Sequence, residues 1–140
     1  GWIEYVVDAL TVPRDTRSDI CKPIYESWKN DGAAEAVDHY RELLHTREEE
    51  FDFNEYVLMS IGGKLFTRRL YADSVEFLQG SLELYPDSEY TYYTHYLAAK
   101  SLEKLSRFDS AIHHCQEAVR LNPDFAAASD LLTSLVDAAN

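Results

Sequence analysis

Apolar and small residues recur every three or four positions along most of this chain, and polar residues fill the places between them. This spacing puts the apolar residues on one side of an α-helix, so the pattern predicts an all-α fold. The breaks between periodic stretches contain Gly, Pro, Asp and Ser, which are typical of turns. The predicted helices cover residues 18–30, 33–48, 53–69, 72–85, 89–105, 108–121 and 125–138.

Residues that can cap helices stand before several of these segments. Pro23 fits the helix predicted over residues 18–30 only if it lies in the first turn. Asp31-Gly32 is a helix-ending pair, since glycine readily adopts the conformation found after a helix. The predicted N-caps are Ser18, Ser88 and Asp124, together with capping boxes at Asp52-x-x-Glu55 and Ser106-x-x-Asp109.

Two stretches, residues 55–88 and 92–125, are versions of each other when they are aligned on Pro86 and Pro123. Small residues let two antiparallel helices approach closely, and a bulky residue opposite them fills the groove. No such pair can bury its apolar side alone, so neighbouring pairs must stack. The matched positions are Gly62 with Ala99, Ser74 with Ala111, Ser81 with Ala118, Leu65 with Leu102, Tyr71 with Phe108, and Leu78 with Cys115.

These matches resemble the tetratricopeptide repeat, a helix-turn-helix unit of 34 residues. The resemblance implies a right-handed α-solenoid of stacked antiparallel helix pairs with a C-terminal capping helix. The chain departs from the family pattern at His95, where the family often has Trp, and at Cys115, where it has Phe or Tyr. The two prolines are 37 residues apart, which leaves about one extra turn between the repeats.

The domain organisation follows from this alignment. An N-terminal apolar segment and linker (residues 1–17) precede a helical domain (residues 18–140). Residues 1–10 favour a short helix, although their β-branched residues would also suit a strand. Within the domain we expect a degenerate repeat (18–50), repeat 1 (53–88), repeat 2 (89–123) and a capping helix (124–138) with Leu131, Leu132, Leu135 and Val136 inward.

The resemblance also implies a binding groove, because the first helix of each repeat lines the concave side in this family. Four tyrosines in residues 90–96 bring large side chains with polar tips to this region, which suits peptide anchoring. The alternative is that these tyrosines pack against the preceding repeat or the N-terminal helices. The groove positions map onto Tyr56, Met59, Gly63, Tyr93, Tyr96 and Lys100.

Other chemistry is poorly supported by the sequence. Cys21 and Cys115 lie far apart without a Cys-x-x-Cys pattern, so we expect free buried thiols. His113 and His114 are adjacent on a helix and point about 100° apart, which argues against one metal ion between them. Gly62-Gly63-Lys64 lacks the rest of a phosphate loop. We expect no catalytic residues, no metal and no cofactor, and hence no enzyme.

The net charge of −12 argues against nucleic acid and anionic membranes as partners. No apolar run approaches the roughly 20 residues of a membrane span, and the cytoplasm is the favoured compartment. The chain starts with Gly rather than Met, which we interpret as an excised piece or a processed product of a longer protein.

The predicted function is a non-catalytic module that binds a protein or peptide through the groove. The alternative is an accessory tail of a bacterial serine hydrolase, because the order of motifs over residues 20–136 is similar to tails that follow beta-lactamase-like or esterase domains. Such a tail would serve docking or dimerisation, and a homodimer through residues 1–10 is a third interpretation.

Overall fold

The computed structural model describes residues 16–140, so the expected helix over residues 1–10 and the dimer through it lie outside the described residues. The regular elements of the described backbone are helices, and the prediction of an all-α fold is confirmed. The helices are α1 (Cys21–Asp31), α2 (Ala33–Thr46), α3 (Val57–Thr67), α4 (Tyr71–Leu84), α5 (Thr91–Lys104), α6 (Phe108–Leu121) and α7 (Ala126–Ala139). They fall into two units that meet in sequence at Asn54 and Glu55.

The first unit contains the helical hairpin of α1 and α2. Gly32 joins the helices with φ 95°, a left-handed value that favours glycine, so the predicted helix end is confirmed. Pro23 is the third residue of α1 and therefore lies in its first turn, as expected. Ile24 and Tyr40 are fully buried between the helices, and the Tyr40 ring meets Phe53 edge to face with centroids 5.2 Å apart.

Two predicted helix caps near this unit are wrong. Ser18 precedes α1 by three residues and forms an isolated β-bridge with Phe51. Its N–H donates to the Glu50 carbonyl at 3.0 Å. The Asp52 carboxylate accepts the backbone N–H of Ile20 at 2.8 Å, so it satisfies a donor at the start of α1. Asp52 thus bonds to a residue 32 positions earlier and does not cap α3, which begins only at Val57.

The second unit stacks α3 to α7 so that each helix packs against the next, and α3 also contacts α5. This arrangement of paired helices, with first helices of neighbouring pairs in contact, is that of a helical-repeat solenoid. The four small residues expected at helix contacts, Gly62, Ala99, Ala111 and Ala118, are all buried.

Both repeats turn from first to second helix by the same backbone route. Arg69 (φ 64°) and Ser106 (φ 59°) are left-handed residues 37 positions apart. After each, the next N–H donates back to the helix: Leu70 to the Leu65 carbonyl and Arg107 to the Leu102 carbonyl, both at 2.9 Å. This is the Schellman motif, here without glycine. The predicted capping box at Ser106 is therefore wrong, because Ser106 ends α5 and does not begin α6.

Buried hydroxyls connect three helices of the second unit. The Ser101 hydroxyl of α5 donates to the Ser74 hydroxyl of α4 at 3.2 Å. The Ser74 hydroxyl in turn donates to the Gly62 carbonyl of α3 at 2.7 Å. Both serines are fully buried, so these bonds satisfy groups that have no access to water. Ser74 therefore combines close helix contact with a polar link that Ala, the family residue, would lack.

The last helix covers the core of the second repeat only in part. Ala128 and Leu135 are fully buried, while Leu131 and Leu132 are half-buried. Val136, predicted to point inward, is 40% exposed, because it follows Leu135 by one residue and so points to another side of the helix.

The predicted N-caps Asp124 and Ser88 are also displaced. The residue before α7 is Phe125, and Asp124 lies one position earlier. Ser88 lies three residues before α5, where its hydroxyl accepts the N–H of Tyr90 at 3.2 Å in the preceding turn. Both helices thus begin slightly later than the polar residues indicate.

Candidate functional site

An open cavity of about 540 Å³ lies between α3 and α5 in the second unit. Four of the six predicted groove residues line it: Met59, Gly63, Tyr93 and Lys100. The helical repeat places them together, because positions four or seven apart on each helix share one face. Leu97 forms an apolar wall between Tyr93 and Lys100, one turn from each.

An aromatic cluster borders the cavity and consists of Tyr92, Tyr93, Tyr96 and Phe125. The Tyr93 and Tyr96 rings are nearly parallel, with centroids 6.1 Å apart, and Phe125 meets Tyr96 edge to face at 5.0 Å. Phe125 comes from the segment before α7, so these tyrosines pack against a more C-terminal part of the chain. Tyr93 keeps 38% of its surface exposed, which leaves part of the cluster open to a ligand.

Lys100 extends over two aromatic rings at the edge of the cavity. Its Nζ atom lies 5.0 Å from the centroid of Phe66 and 5.3 Å from that of Tyr96, which is cation–π geometry. Neither Lys100 nor Lys64, which also lines the cavity, has a carboxylate partner within residues 16–140. Two lysines without ion-pair partners give the cavity a local positive charge on a chain of net charge −12.

Two predicted groove residues do not line the cavity. Tyr96 belongs to the aromatic cluster, and Tyr56 lies before the first residue of α3. Its ring meets that of Tyr90 at a centroid distance of 5.4 Å. A hydrogen bond with the Glu55 carboxylate, more than any other cause, raises the pKa of Tyr56 to about 12. Burial raises the pKa of Tyr96 as well, so these phenols remain hydrogen-bond donors at neutral pH.

Sequence reasoning missed five lining residues and one residue of the aromatic cluster. Extending the Met59–Gly63 stripe by one turn would have found Phe66 and Thr67, because α3 continues the same face. Phe125 carried no such signal, since it lies in a turn and reaches the tyrosines only through the packing of α7. The missed lining residues are Ser60, Lys64, Phe66, Thr67 and Leu97.

The cysteines and histidines take up other positions. Cys115 is fully buried, its thiol lies 3.0 Å from the Ala128 carbonyl, and burial raises its pKa to about 11. It is a core thiol, as expected, whereas Cys21 is only half-buried, so the expectation of two buried thiols is wrong for Cys21. His113 is exposed and His114 is half-buried, in contact with His95.

Within residues 16–140, no group of three or more Cys, His, Asp or Glu side chains is arranged to hold a metal ion. None of the helices in this part of the chain is both long and apolar enough to cross a bilayer.

Comparison with known proteins comes from one family model. The model for the tetratricopeptide repeat matches residues 92–125, which run from the start of α5 to the residue before α7. No curated protein matches the chain, and nothing found bears on the resemblance to hydrolase tails. The matched stretch is the α5–α6 hairpin with its left-handed turn at Ser106 and its buried small residues. The chain therefore contains a tetratricopeptide repeat in residues 92–125.

Proposed function

We propose that the second unit binds a segment of a partner protein in the cavity between α3 and α5. Tetratricopeptide repeats are generally non-catalytic interaction modules, which supports this class of function. The volume of about 540 Å³ is within the usual range of ligand sites, roughly 300–1,000 Å³. The observation that carries the proposal is the combination of exposed Tyr93 with two unpaired lysines around one apolar cavity.

The walls of the cavity indicate the chemistry of the segment. Met59 and Leu97 offer apolar surface, and Tyr93 offers a ring with a hydroxyl tip, which suits an apolar or aromatic anchor. Lys64 and Lys100 attract carboxylates, and the overall negative charge of the chain repels them elsewhere. The bound segment therefore carries acidic side chains beside an apolar one. Of the six predicted groove residues, Met59, Gly63, Tyr93 and Lys100 form the proposed contact set in the cavity, Tyr96 borders it in the aromatic cluster, and Tyr56 lies outside it.

The test is affinity capture with tagged residues 1–140, followed by measurement of binding for variants. Lys100→Glu reverses the charge at the cavity, and Tyr96→Ala removes a ring of the aromatic cluster. Each should weaken binding at least about tenfold, which corresponds to about 1.4 kcal/mol. Binding should also weaken as salt is raised, because the lysines are partly solvated.

Lys104→Glu is the matched control, since it makes the same charge change one turn further along α5 on an exposed residue. It should leave the affinity within about twofold of the parent. If Lys104→Glu weakens binding as much as Lys100→Glu, or if only the exposed α4 variant Glu76→Lys weakens it, the cavity is not the binding site.

A further inference from the structure

A histidine pair joins the two helices of the tetratricopeptide repeat. His95 of α5 and His114 of α6 face each other with their Nδ1 atoms 2.9 Å apart and their ring centroids 5.1 Å apart. Both side chains are half-buried. At this distance one Nδ1 donates a proton and the other accepts it, so the pair holds together only while one of the two nitrogens is unprotonated.

The charged groups around the pair come mainly from α6. The Glu117 carboxylate attracts a proton to both rings, while His113 opposes charge on both and Arg120 opposes it on His95. From α4, only the uncharged Gln79 lines the cavity beside His114, and the two acidic residues of α7, Asp130 and Asp137, are exposed. Arg107 and Asp109, of opposite charge, line the same cavity. The carboxylates of Glu117 and Asp109 are matched by the cations Arg120 and Arg107, so these four side chains supply no net negative charge to a pair that would carry two positive charges.

We propose that His95 and His114 form an acid-sensitive latch between α5 and α6, which holds at neutral pH and opens when both imidazoles are protonated. Two imidazolium rings would each present an N–H to the other, so the hydrogen bond would be lost and like charges would face each other in a half-buried place. The α5–α6 hairpin would then lose a contact between its two helices.

Burial is the main cause that lowers the pKa of His114, to about 4, and it also lowers that of His95. In the unfolded chain both groups titrate near 6.5. The unfolded state therefore binds more protons than the folded state between about pH 6.5 and pH 4. The contribution of the latch is complete above about pH 6.5 and is lost progressively as the pH falls toward 4.

The test compares thermal unfolding at pH 7.5 and pH 5.0 for the parent chain, His95→Gln and His114→Gln. The quantity compared is the fall in Tm between the two pH values within each protein, so a general loss of stability in a variant does not matter. We expect the fall in the parent to exceed that in each variant by roughly 3–6 °C. His45→Gln, an exposed histidine of α2, is the control and should behave as the parent.

A second measurement keeps the proposal testable if a variant does not fold. In NMR titrations of the parent, the rings of His95 and His114 should have midpoints below the ordinary value near 6.5. Midpoints near 6.5 for both rings, or an equal fall in Tm for parent and variants, would overturn the latch. Weaker partner binding below about pH 4 is a further expectation that rests on the proposed function, since α5 carries Tyr93 and Lys100. The unfolding test needs no partner, so the two proposals can fail separately.

Discussion

The Leu78 side chain of α4 lies so close to Gly62 of α3 that a Cβ atom on Gly62 would be 2.7 Å from both the Cγ and Cδ2 atoms of Leu78. Leu78 is fully buried, so its branch point has little room to move. The Ser74 carbonyl, 3.3 Å from the same position, closes a second side. The α3–α4 hairpin therefore requires glycine at this contact for reasons of space.

Gly62→Ala should destabilise the second unit. Overpacking a tight core contact costs typically 1–3 kcal/mol, and the better helix propensity of Ala returns up to about 1 kcal/mol. The expected net loss is about 1–2 kcal/mol in urea unfolding. Gly63→Ala is the matched control, because its Cβ would meet only the Leu97 Cδ1 at 3.8 Å, and it should stabilise by about 0.5–1 kcal/mol. Equal effects of the two changes would contradict the proposed contact.

Because the two Schellman turns contain left-handed residues, glycine at these positions should increase the stability of the protein. Arg69 and Ser106 are exposed and have positive φ, a conformation unfavourable for residues with a Cβ atom. Ser106→Gly and Arg69→Gly should each raise the free energy of unfolding by about 0.5–1 kcal/mol, measured by urea denaturation. Ser106→Ala keeps the steric problem and should bring no gain. A loss of stability on Ser106→Gly would show that the turn does not limit stability.

Phe125 predicts a link between the last helix and the aromatic cluster. Its ring contacts Tyr92, Tyr93 and Tyr96 with centroids 5.0 to 6.2 Å apart. Phe125→Ala should lower the free energy of unfolding by about 2–3 kcal/mol, less than in a closed core because the side chain is only half-buried. Leu121→Ala is the comparison, since Leu121 is 43% exposed and should lose under about 1 kcal/mol. If Phe125→Ala lowered the free energy of unfolding no more than Leu121→Ala does, the ring contacts would contribute little to stability.

Asp52 predicts a stabilising bond across a long sequence separation. Its carboxylate accepts the Ile20 N–H at 2.8 Å, ahead of α1. Asp52→Ala should cost about 1 kcal/mol, the usual loss when a capping side chain is removed. Asp52→Asn keeps an acceptor oxygen and should recover at least half of that loss. An exposed acidic residue of the same unit, Asp38, should show a smaller effect when changed to Ala, and the reverse order would contradict the cap.

The helices could be predicted from the sequence because their evidence is local. Apolar spacing defines α6 to the residue, from Phe108 to Leu121. Pairing Gly62 with Ala99 and Ser74 with Ala111 correctly identified buried helix contacts, since close approach of two helices restricts which residues fit.

The remaining features depend on contacts between residues that are far apart in the sequence. Asp52 fits a capping box by sequence, yet it bonds to Ile20, 32 residues earlier. His95 and His114 are 19 residues apart, and only the register of α5 against α6 brings their rings together. The aromatic cluster depends on Phe125, which has no periodic signal. Partners of this kind are fixed by packing, which a single sequence does not encode in any local pattern.

The buried relay from Ser101 through Ser74 to the Gly62 carbonyl has a mechanical consequence. If one of the three helices slid along its neighbour by a single turn, at least one of the two hydroxyls would lose its acceptor inside the protein. An unsatisfied buried group costs about 1–3 kcal/mol. The relay therefore opposes sliding of these helices. Under mechanical load, we expect the second unit to bend at its loops before its helices shift along one another.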